Sequence, residues 1–193
     1  MSLINKISKS TKDYILKSTT SFNLIENNVD QIIKASLICI DSLKSGGTIF
    51  FCGNGGSASD ANHLAAELVG KFYKDRRPLR SISLSANNST ITAIANDYGF
   101  ENVFSRQIDA LGTNADTLIA ISTSGNSKNI IKCIKAANHL GMESILLTGK
   151  SESEASENSK LSIHADSSFP GIIQQSHITI GQLICWNIDQ FID

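Results

Sequence analysis

Hydrophobic positions in the first 45 residues recur mostly every three or four residues. That spacing places them along one side of a helix. They fall into two groups, from Leu3 to Ile15 and from Ile25 to Leu43, and Gly46 and Gly47 follow the second group. Glycine just beyond a periodic stretch commonly ends a helix. The pattern therefore predicts two N-terminal helices.

From residue 48 onward, short apolar runs alternate with longer stretches of helical periodicity. The runs have the length and composition of buried strands, and they are TIFFC (48–52), SISLS (81–85), TLIAIS (117–122), SILLT (144–148) and the weaker LSIHA (161–165). Helical patterns occupy 58–72, 89–95, 100–111, 127–140 and 172–192, and the polar stretch 151–159 is predicted to be a mobile loop. This alternation predicts an α/β fold in which helices cover both faces of a parallel sheet.

Composition narrows the class of protein. With 193 residues, 41% hydrophobic and 18% charged, the chain is expected to form one globular domain rather than a disordered segment. Its net charge of -1 gives no electrostatic bias toward nucleic acid or an anionic membrane. No leader-like or membrane-spanning apolar stretch is visible, and the four cysteines form no CxxC pair. We expect a cytoplasmic protein with buried free thiols.

The first candidate site is the glycine-rich stretch that follows the first predicted strand. Residues 53–58 read Gly-Asn-Gly-Gly-Ser-Ala, which formally fits a dinucleotide-binding fingerprint. That fingerprint also needs an acidic residue after the next strand, where the chain has Ser85-Ala86-Asn87-Asn88. A second stretch, 148–151, ends like a Walker A motif, but its first glycine position is Ser144. No nucleotide cofactor is expected.

The second candidate site is the stretch Ser122-Thr123-Ser124-Gly125-Asn126-Ser127, between a predicted strand and a predicted helix. Hydroxyls and free backbone amides at a helix N-terminus bind anions without a lysine. A single serine would be enough to cap the helix. Because four hydroxyl residues crowd this turn, phosphate binding is the favoured interpretation.

Three segments taken in order resemble the sugar isomerase (SIS) domain family, and within it the bacterial phosphoheptose isomerases. They are CGNGGSASDANHLAAEL (52–68), AIANDYGFENVFSRQIDALG (93–112) and ISTSGNSKNIIKCIKAA (121–137). The resemblance implies a three-layer αβα sandwich with a five-stranded parallel sheet. It implies one SIS domain over 1–193, with residues 1–45 forming oligomerisation helices and 46–193 forming the sheet core and last helix. It also implies a homotetramer with active sites between subunits.

The activity implied is the conversion of sedoheptulose 7-phosphate to D-glycero-D-manno-heptose 7-phosphate through an enediol, for the heptose of lipopolysaccharide cores. Carried over by position, the resemblance assigns phosphate binding to Ser57, Ser122, Thr123, Ser124 and Ser127. It assigns sugar binding to Asn54, Gly55, Gly56, Asn96, Asp97 and Gln174. Glu67 would be the catalytic carboxylate and would also bind substrate. Where family members bind zinc, the matching ligands are His63, Glu67 and Gln174.

These residue types suit the implied chemistry. An aldose–ketose isomerase needs a base to move a proton and a donor or metal to stabilise the oxyanion. His63 and Glu67 are four residues apart in a predicted helix, so both side chains lie on one face. On spacing alone, a solvated surface pair explains them equally well. Their position just after the glycine stretch favours a functional role.

The chain departs from the family pattern in its last helix. The resemblance implies a histidine eight residues after Gln174, where the chain has Gln182. Glutamine cannot titrate near neutral pH, and it is a poor zinc ligand. The other histidines considered as substitutes are His139, His164 and His177. A smaller departure is Lys71, where the family tends to have arginine.

The departure at 182 keeps a second hypothesis open. A related SIS-domain protein binds the replication initiator and regulates initiation, so a regulator with a protein partner is the alternative to an isomerase. The basic stretch 71–80 would then serve a protein or nucleic-acid partner. Such a run is more often a solvated loop whose apolar stems pack against the protein.

Overall fold

The computed structural model describes residues 1–149 and 151–192. Lys150 of the Walker-like stretch and Asp193 of the predicted domain lie outside the described residues. The helices are α1 Leu3–Asn23, α2 Val29–Lys44, α3 Gly56–Val69, α4 Asn88–Tyr98, α5 Ser105–Leu111, α6 Lys128–His139, α7 Glu154–Asn158 and α8 Pro170–Phe191. The strands are β1 Ile49–Gly53, β2 Ser81–Ser83, β3 Thr117–Ser122, β4 Glu143–Thr148 and β5 Leu161–His164. Two 3-10 turns, Leu24–Asn28 and Phe100–Asn102, complete the order.

The five strands form one parallel sheet in the order β2-β1-β3-β4-β5. Alternate residues of the three central strands, β1, β3 and β4, enter opposite cores. In β1, Ile49 and Phe51 pack with α2, α3 and α8, whereas Phe50 and Cys52 pack with α5 and α6. Burial on both faces explains why these strands read as continuous apolar runs. The predicted three-layer α/β sandwich is confirmed.

Most predicted element boundaries agree within two or three residues. The predicted helix over 100–111 is divided into a 3-10 turn and α5. The predicted mobile loop over 151–159 is wrong, because it contains α7. A capping box starts that helix: Ser153 Oγ accepts from the Ser156 backbone N–H at 3.3 Å, and Ser156 Oγ accepts from the Ser153 N–H at 2.7 Å. Ala155 anchors the helix in the core.

All four cysteines, Cys39, Cys52, Cys133 and Cys185, are buried and free, as expected. Among the described residues, no helix combines the length and apolar character required to cross a membrane.

Candidate active site

The strand order creates a crevice between β1 and β3. From β1 the chain proceeds to β2 on one side, and from β3 it proceeds to β4 on the other. Loops that leave the carboxyl ends of two such strands diverge, and the gap between them is the usual ligand site of an open parallel sheet. Gly53 of β1 lies directly beside Ile121 of β3, so the two candidate stretches leave the sheet side by side. We call residues 53–57 the glycine loop and residues 122–127 the serine loop.

The glycine loop runs too close to its surroundings for larger residues at two positions. A Cβ on Gly53 would lie 2.4 Å from the Ser57 carbonyl oxygen. A Cβ on Gly56 would lie 2.6 Å from Nε2 of Gln174, so the Gln174 side chain from α8 rests on this loop. Gly55 caps α3 with a φ of 57°, a conformation that favours glycine. The loop therefore presents backbone rather than side chains to the crevice.

The serine loop turns into the N-terminus of α6. Ser122 Oγ accepts from the Gly125 N–H at 3.1 Å, and Ser124 Oγ accepts from the Asn126 N–H at 3.2 Å. Ser127 is the N-cap residue of α6, yet its side chain makes no capping hydrogen bond. The first amides of a helix have no partner within it. The Ser127 side chain thus does not act as a simple cap, and it lies with these amides in the loop for which the sequence predicts phosphate binding.

Helix α7 braces the serine loop from behind. Gly125 has a φ of 64°, and a Cβ there would lie 2.0 Å from Ser153 Oγ. The Gly125 carbonyl also accepts from the Ala155 N–H at 3.0 Å. Sequence analysis missed Ser153, because the stretch that contains it looked like low-complexity polar sequence. Its Ser-x-x-Ser spacing was the available signal, in place of the more familiar Ser-x-x-Glu.

A reciprocal pair of amide side chains connects the glycine loop to α6, the helix that follows the serine loop. Asn54 Nδ2 donates to Asn129 Oδ1 at 2.9 Å, and Asn129 Nδ2 donates to Asn54 Oδ1 at 2.8 Å. Asn129 lies in the first turn of α6 and is only 3% exposed. It was not predicted from the sequence, although it lies four and eight residues before the buried Cys133 and Ala137 and so continues their stripe. The pair holds the glycine loop against the start of α6, two residues after the end of the serine loop.

The candidate carboxylate lies at the far end of α3. Gly56, Asp60, His63 and Glu67 share one face of the helix by their spacing. His63 Nε2 and Glu67 Oε1 are 2.9 Å apart, with side chains 49% and 20% exposed. Burial raises the pKa of Asp60, against the opposing effect of His63. Ten residues separate Ser57 from Glu67, or about 15 Å of helix rise. One chain therefore holds Glu67 well away from the loops.

The implied zinc ligands do not meet within one chain. His63 and Glu67 are paired, but Gln174 packs on Gly56, seven residues or about 10 Å of helix rise from His63. Among residues 1–149 and 151–192, no group of three or more His, Cys, Asp or Glu could hold a metal ion. Structural and catalytic zinc sites usually take at least three protein donors. One chain supplies two, so its residues do not fit a zinc ion without a donor from elsewhere.

The other two predicted sugar residues lie on α4. Asn96 Nδ2 donates to Asp97 Oδ1 at 2.8 Å, and both side chains are exposed. Helix α4 has no buried residue, although Ile91 and Ile94 pack partly against the sheet core. These two residues thus belong to a lightly packed element that follows the edge strand β2.

The three histidines proposed as substitutes are unsuited to acid–base work in the crevice. His177 is fully buried, and its Nε2–H donates to the Thr148 carbonyl at 3.0 Å. Burial lowers the pKa of His177 to about 4, despite the opposing effect of that hydrogen bond. His164 Nδ1 lies 2.9 Å from the Gly149 carbonyl oxygen. His139 ends α6, at the opposite end from the serine loop. None fills the position implied for the family histidine.

The basic stretch 71–80 is partly structural. Arg76 Nε donates to Asp189 Oδ1 at 2.8 Å, and both side chains are buried. The same guanidinium donates to the carbonyls of Glu67 and Leu68 at the end of α3. Lys71, Lys74, Arg77 and Arg80 remain exposed. Arg76 thus links the end of α3 to α8, which is a structural role.

Comparison with known proteins gives a consistent assignment. A family model described as "SIS domain" matches residues 13–149. A phosphoheptose isomerase from Rhodospirillum rubrum is 49% identical over 154 residues, covering 80% of this chain and 82% of that protein. One from Akkermansia muciniphila is 40% identical and covers 93% of this chain and 95% of the relative.

Solved structures agree with the sequence comparison. The phosphoheptose isomerase of Neisseria gonorrhoeae superposes with a TM-score of 0.90 at 35% identity, covering 95% of this chain and 99% of that one. The chain therefore belongs to the SIS domain family, and within it to the phosphoheptose isomerases.

Proposed function

We propose that this protein is an aldose–ketose isomerase that converts sedoheptulose 7-phosphate to D-glycero-D-manno-heptose 7-phosphate. The relatives reported above carry the name phosphoheptose isomerase. The observation that carries the proposal is the Asn54–Asn129 pair, which holds the start of α6, just after the serine loop, beside the glycine loop at the switch point of the sheet. Such an arrangement suits a ligand with a phosphate at one end and a hydroxylated carbon chain at the other.

The chemistry needs one proton shuttle. A base removes a proton from C1 of the ketose, which gives an enediol, and the proton returns at C2. The hydroxyl proton on O1 passes to O2, so the reaction consumes no co-reactant. We assign the base to Glu67. The phosphate is assigned to Ser57 and to Ser122, Thr123, Ser124 and Ser127. Asn54, Gly55, Gly56, Asn96, Asp97 and Gln174 are assigned to the sugar.

We propose further that each site is completed between subunits of a homotetramer. About 15 Å of helix rise lies between Ser57 and Glu67 in one chain, which supports delivery of the carboxylate from a neighbouring copy. Exposed apolar side chains on three helices support assembly. They are Leu3, Ile4, Ile7, Ile15 and Leu16 on α1, Val29, Ile33 and Leu37 on α2, and Leu183, Trp186 and Phe191 on α8.

Zinc, location and pathway complete the proposal. A zinc ion at His63 and Glu67 needs a further donor, which a second subunit would have to contribute, and Gln174 is the candidate. The free cysteines support a cytoplasmic location. The pathway proposed is synthesis of the heptose in lipopolysaccharide cores. Neither the described residues nor the reported relatives favour the alternative of a replication regulator.

The proposal is tested by turnover. Purified protein with sedoheptulose 7-phosphate, assayed with and without zinc, is expected to form the heptose phosphate. Glu67→Gln is expected to lower kcat by about 10²- to 10⁴-fold, the usual contribution of a general base. Glu143→Gln is the matched control. Glu143 has an exposed carboxylate at the amino end of β4, which is the opposite end of the strands from the two loops. Wild-type protein without turnover, together with binding to the replication initiator in a pull-down, would reverse the assignment.

Sharing of the site between subunits has its own test. Glu67→Gln and the double variant Ser124→Ala/Ser127→Ala are each expected to be inactive. When the two are co-expressed with different tags and purified as mixed assemblies, activity should return, because some sites then contain both intact parts. Mixed assemblies that remain inactive would mean that each site is built from one chain.

A further inference from the structure

We propose that Asn129 is a positioning residue, which sets the separation between the glycine loop and the serine loop and thereby the register of the sugar chain relative to its phosphate. This inference rests on the proposed function, because it concerns how one ligand spans both loops. Neither the family resemblance nor the motif spacing assigned a role to Asn129.

The first support is the geometry of the amide pair. An asparagine side chain has two N–H donors and an oxygen with two lone pairs. Asn129 uses one donor and one acceptor on Asn54, at 2.8 and 2.9 Å. With 3% of its surface exposed, Asn129 is not placed to offer much to a ligand in the crevice. Its side chain therefore acts on the loop rather than on the substrate.

The second support is that the pair joins rigid elements. Directly below it, Cys52 Sγ and Cys133 Sγ are 3.8 Å apart, so the end of β1 packs against α6. On the other side of the loop, Ser85 Oγ accepts from the Gly53 N–H at 3.2 Å and donates to the Gly53 carbonyl at 3.0 Å. Gly53 is thus fixed to the turn that follows β2, and Asn54 is fixed to α6. The loop can change its distance from α6 only by breaking the amide pair.

The third support concerns Asn54. The family resemblance gives Asn54 to the sugar, yet half of its side-chain hydrogen-bonding capacity is used by Asn129. The remaining N–H and lone pair are held in a fixed direction by that bond. A substrate hydroxyl that meets Asn54 would meet an amide whose orientation Asn129 has selected. Asn129 therefore acts through Asn54.

This arrangement predicts different effects on two ligands. Of the five residues assigned to the phosphate, four lie in the serine loop, which Ser153 and Ala155 brace independently of Asn129. The fifth, Ser57, lies in the first turn of α3, so its position depends on that helix. Sedoheptulose 7-phosphate needs both loops at the correct separation. Loss of Asn129 should therefore lower the affinity for the sugar phosphate and leave the affinity for inorganic phosphate unchanged. A merely structural residue would affect both ligands or neither.

The experiment uses the full-length protein and four variants: Asn129→Ala, Asn129→Ser, Asn54→Ala and the double variant Asn54→Ala/Asn129→Ala. Asn138→Ala is the matched control. Asn138 is in the same helix, its amide donates to the Asn158 carbonyl at 2.6 Å and accepts from Ser144 Oγ at 2.7 Å, and it lies away from the loops. Circular dichroism selects the folded variants, and Asn129→Ser is used if the alanine variant does not fold. Titration calorimetry with each ligand and steady-state kinetics follow.

For Asn129→Ala we expect kcat/KM to fall about 10- to 100-fold, the scale of a small misplacement of a substrate. The affinity for sedoheptulose 7-phosphate should fall while that for inorganic phosphate and the kinetics of Asn138→Ala do not change. On the Asn54→Ala background, the Asn129 substitution should have little further effect, because non-additivity marks residues that act together.

Additive effects, or equal changes for both ligands, would overturn the role of Asn129. Wild-type protein that binds the sugar phosphate without turning it over would refute the isomerase proposal, and the binding comparison would still decide the role of Asn129. Wild-type protein that binds neither ligand would overturn both.

Discussion

Gln182 stands where the family resemblance implies a histidine. It lies on α8 one residue from Gly181, where a Cβ would be only 2.4 Å from Leu64 of α3. Gln182 follows Gly181 and His63 precedes Leu64, so both residues lie next to the point where α8 contacts α3. The amide of glutamine can donate or accept a hydrogen bond but cannot exchange a proton near neutral pH.

Restoring a titrating group at this position should therefore increase turnover. Gln182→His is expected to raise kcat by about tenfold or more, given that general acid–base catalysis contributes about 10²- to 10⁴-fold. Gln182→Asn, which keeps an amide and cannot titrate, is the control and should give no gain. Steady-state kinetics with sedoheptulose 7-phosphate measures both. Equal rates for wild-type and the histidine variant would show that position 182 takes no part in proton transfer.

His177 gives a prediction about pH and stability. Its pKa falls from 6.5 to about 4 on folding, so the folded protein favours the neutral ring. Between these values the unfolded chain binds a proton that the folded chain does not, and stability is lost as pH falls. The loss reaches about 3 kcal/mol near pH 4, at 1.36 kcal/mol per pKa unit. It is absent above pH 6.5.

Urea unfolding at pH 7 and pH 4.5 measures this effect. His177→Gln keeps an N–H donor for the Thr148 carbonyl and removes the titration, so its stability should depend less on pH than that of the wild type. The exposed His139→Gln should behave as the wild type does. If the two variants had the same pH dependence, burial of His177 would not be a source of acid instability.

Sequence pattern indicates polar residues that are clustered in a motif, but not single polar residues whose partners are distant in the chain. The serine-loop hydroxyls could be proposed as a site because several of them crowd one turn. Asn129 and Ser153 were missed because each is a single polar residue whose partner is far away in sequence. Asn129 pairs with Asn54 across 75 positions. Only the packing of α6 against β1 brings such groups together.

At the scale of elements, a buried ion pair adds to the apolar packing that attaches α3 to α8. Arg76 and Asp189 are 2% and 0% exposed, and Arg76 also satisfies carbonyls at the end of α3. A last helical turn has carbonyls without partners, so this guanidinium acts as a cap. The carbonyl of Glu67 is among those it binds, which connects the pair with the candidate catalytic helix.

Removing either partner leaves a buried charge without compensation. Arg76→Met and Asp189→Leu are each expected to reduce the free energy of unfolding by about 3 to 5 kcal/mol. The double variant should lose less than the sum, because both charges are then gone. Lys160→Met is the control, since its exposed pair with Glu143 is worth about 0 to 1 kcal/mol. Additive losses in urea unfolding would show that the two side chains act separately.

The strands and helices themselves could be predicted largely because the three central strands of the sheet are buried. Continuous apolar runs define β1, β3 and β4, and the amphipathic stretches between them define α3 and α6. Helix α7 could not be predicted, because its five residues owe their helical state to a cap and to contact with Gly125. Local pattern is informative where burial is extensive, and it fails where a short element depends on one tertiary contact.

For the whole molecule, α1 is the feature that a single chain does not explain. Of its 21 residues only Ser21 is buried. Isolated helices are only marginally stable in water, and most helices in proteins depend on packing of an apolar face. A partner surface is therefore needed to cover the apolar residues of α1, and the proposed homotetramer provides one.

Size measurement tests this directly. At micromolar concentration, light scattering should give about four times the chain mass of 20.8 kDa if the assembly is a tetramer. Ile7→Asp should shift the protein to smaller species and lower its activity, because an unpaired charge would then face the partner subunit. Leu111→Asp is the control, since Leu111 is equally exposed and belongs to the opposite helical layer. A wild-type monomer under these conditions would contradict the shared site.

The brace behind the serine loop has a consequence for synthesis of the chain. Gly125 is held by Ser153 and Ala155, and Gly56 is covered by Gln174. A nascent polypeptide that has left the ribosome only as far as α6 carries the serine-loop hydroxyls but lacks the groups that brace the loop from behind. The serine loop is therefore shaped only after α7 has emerged, and the glycine loop is covered only after α8 has emerged.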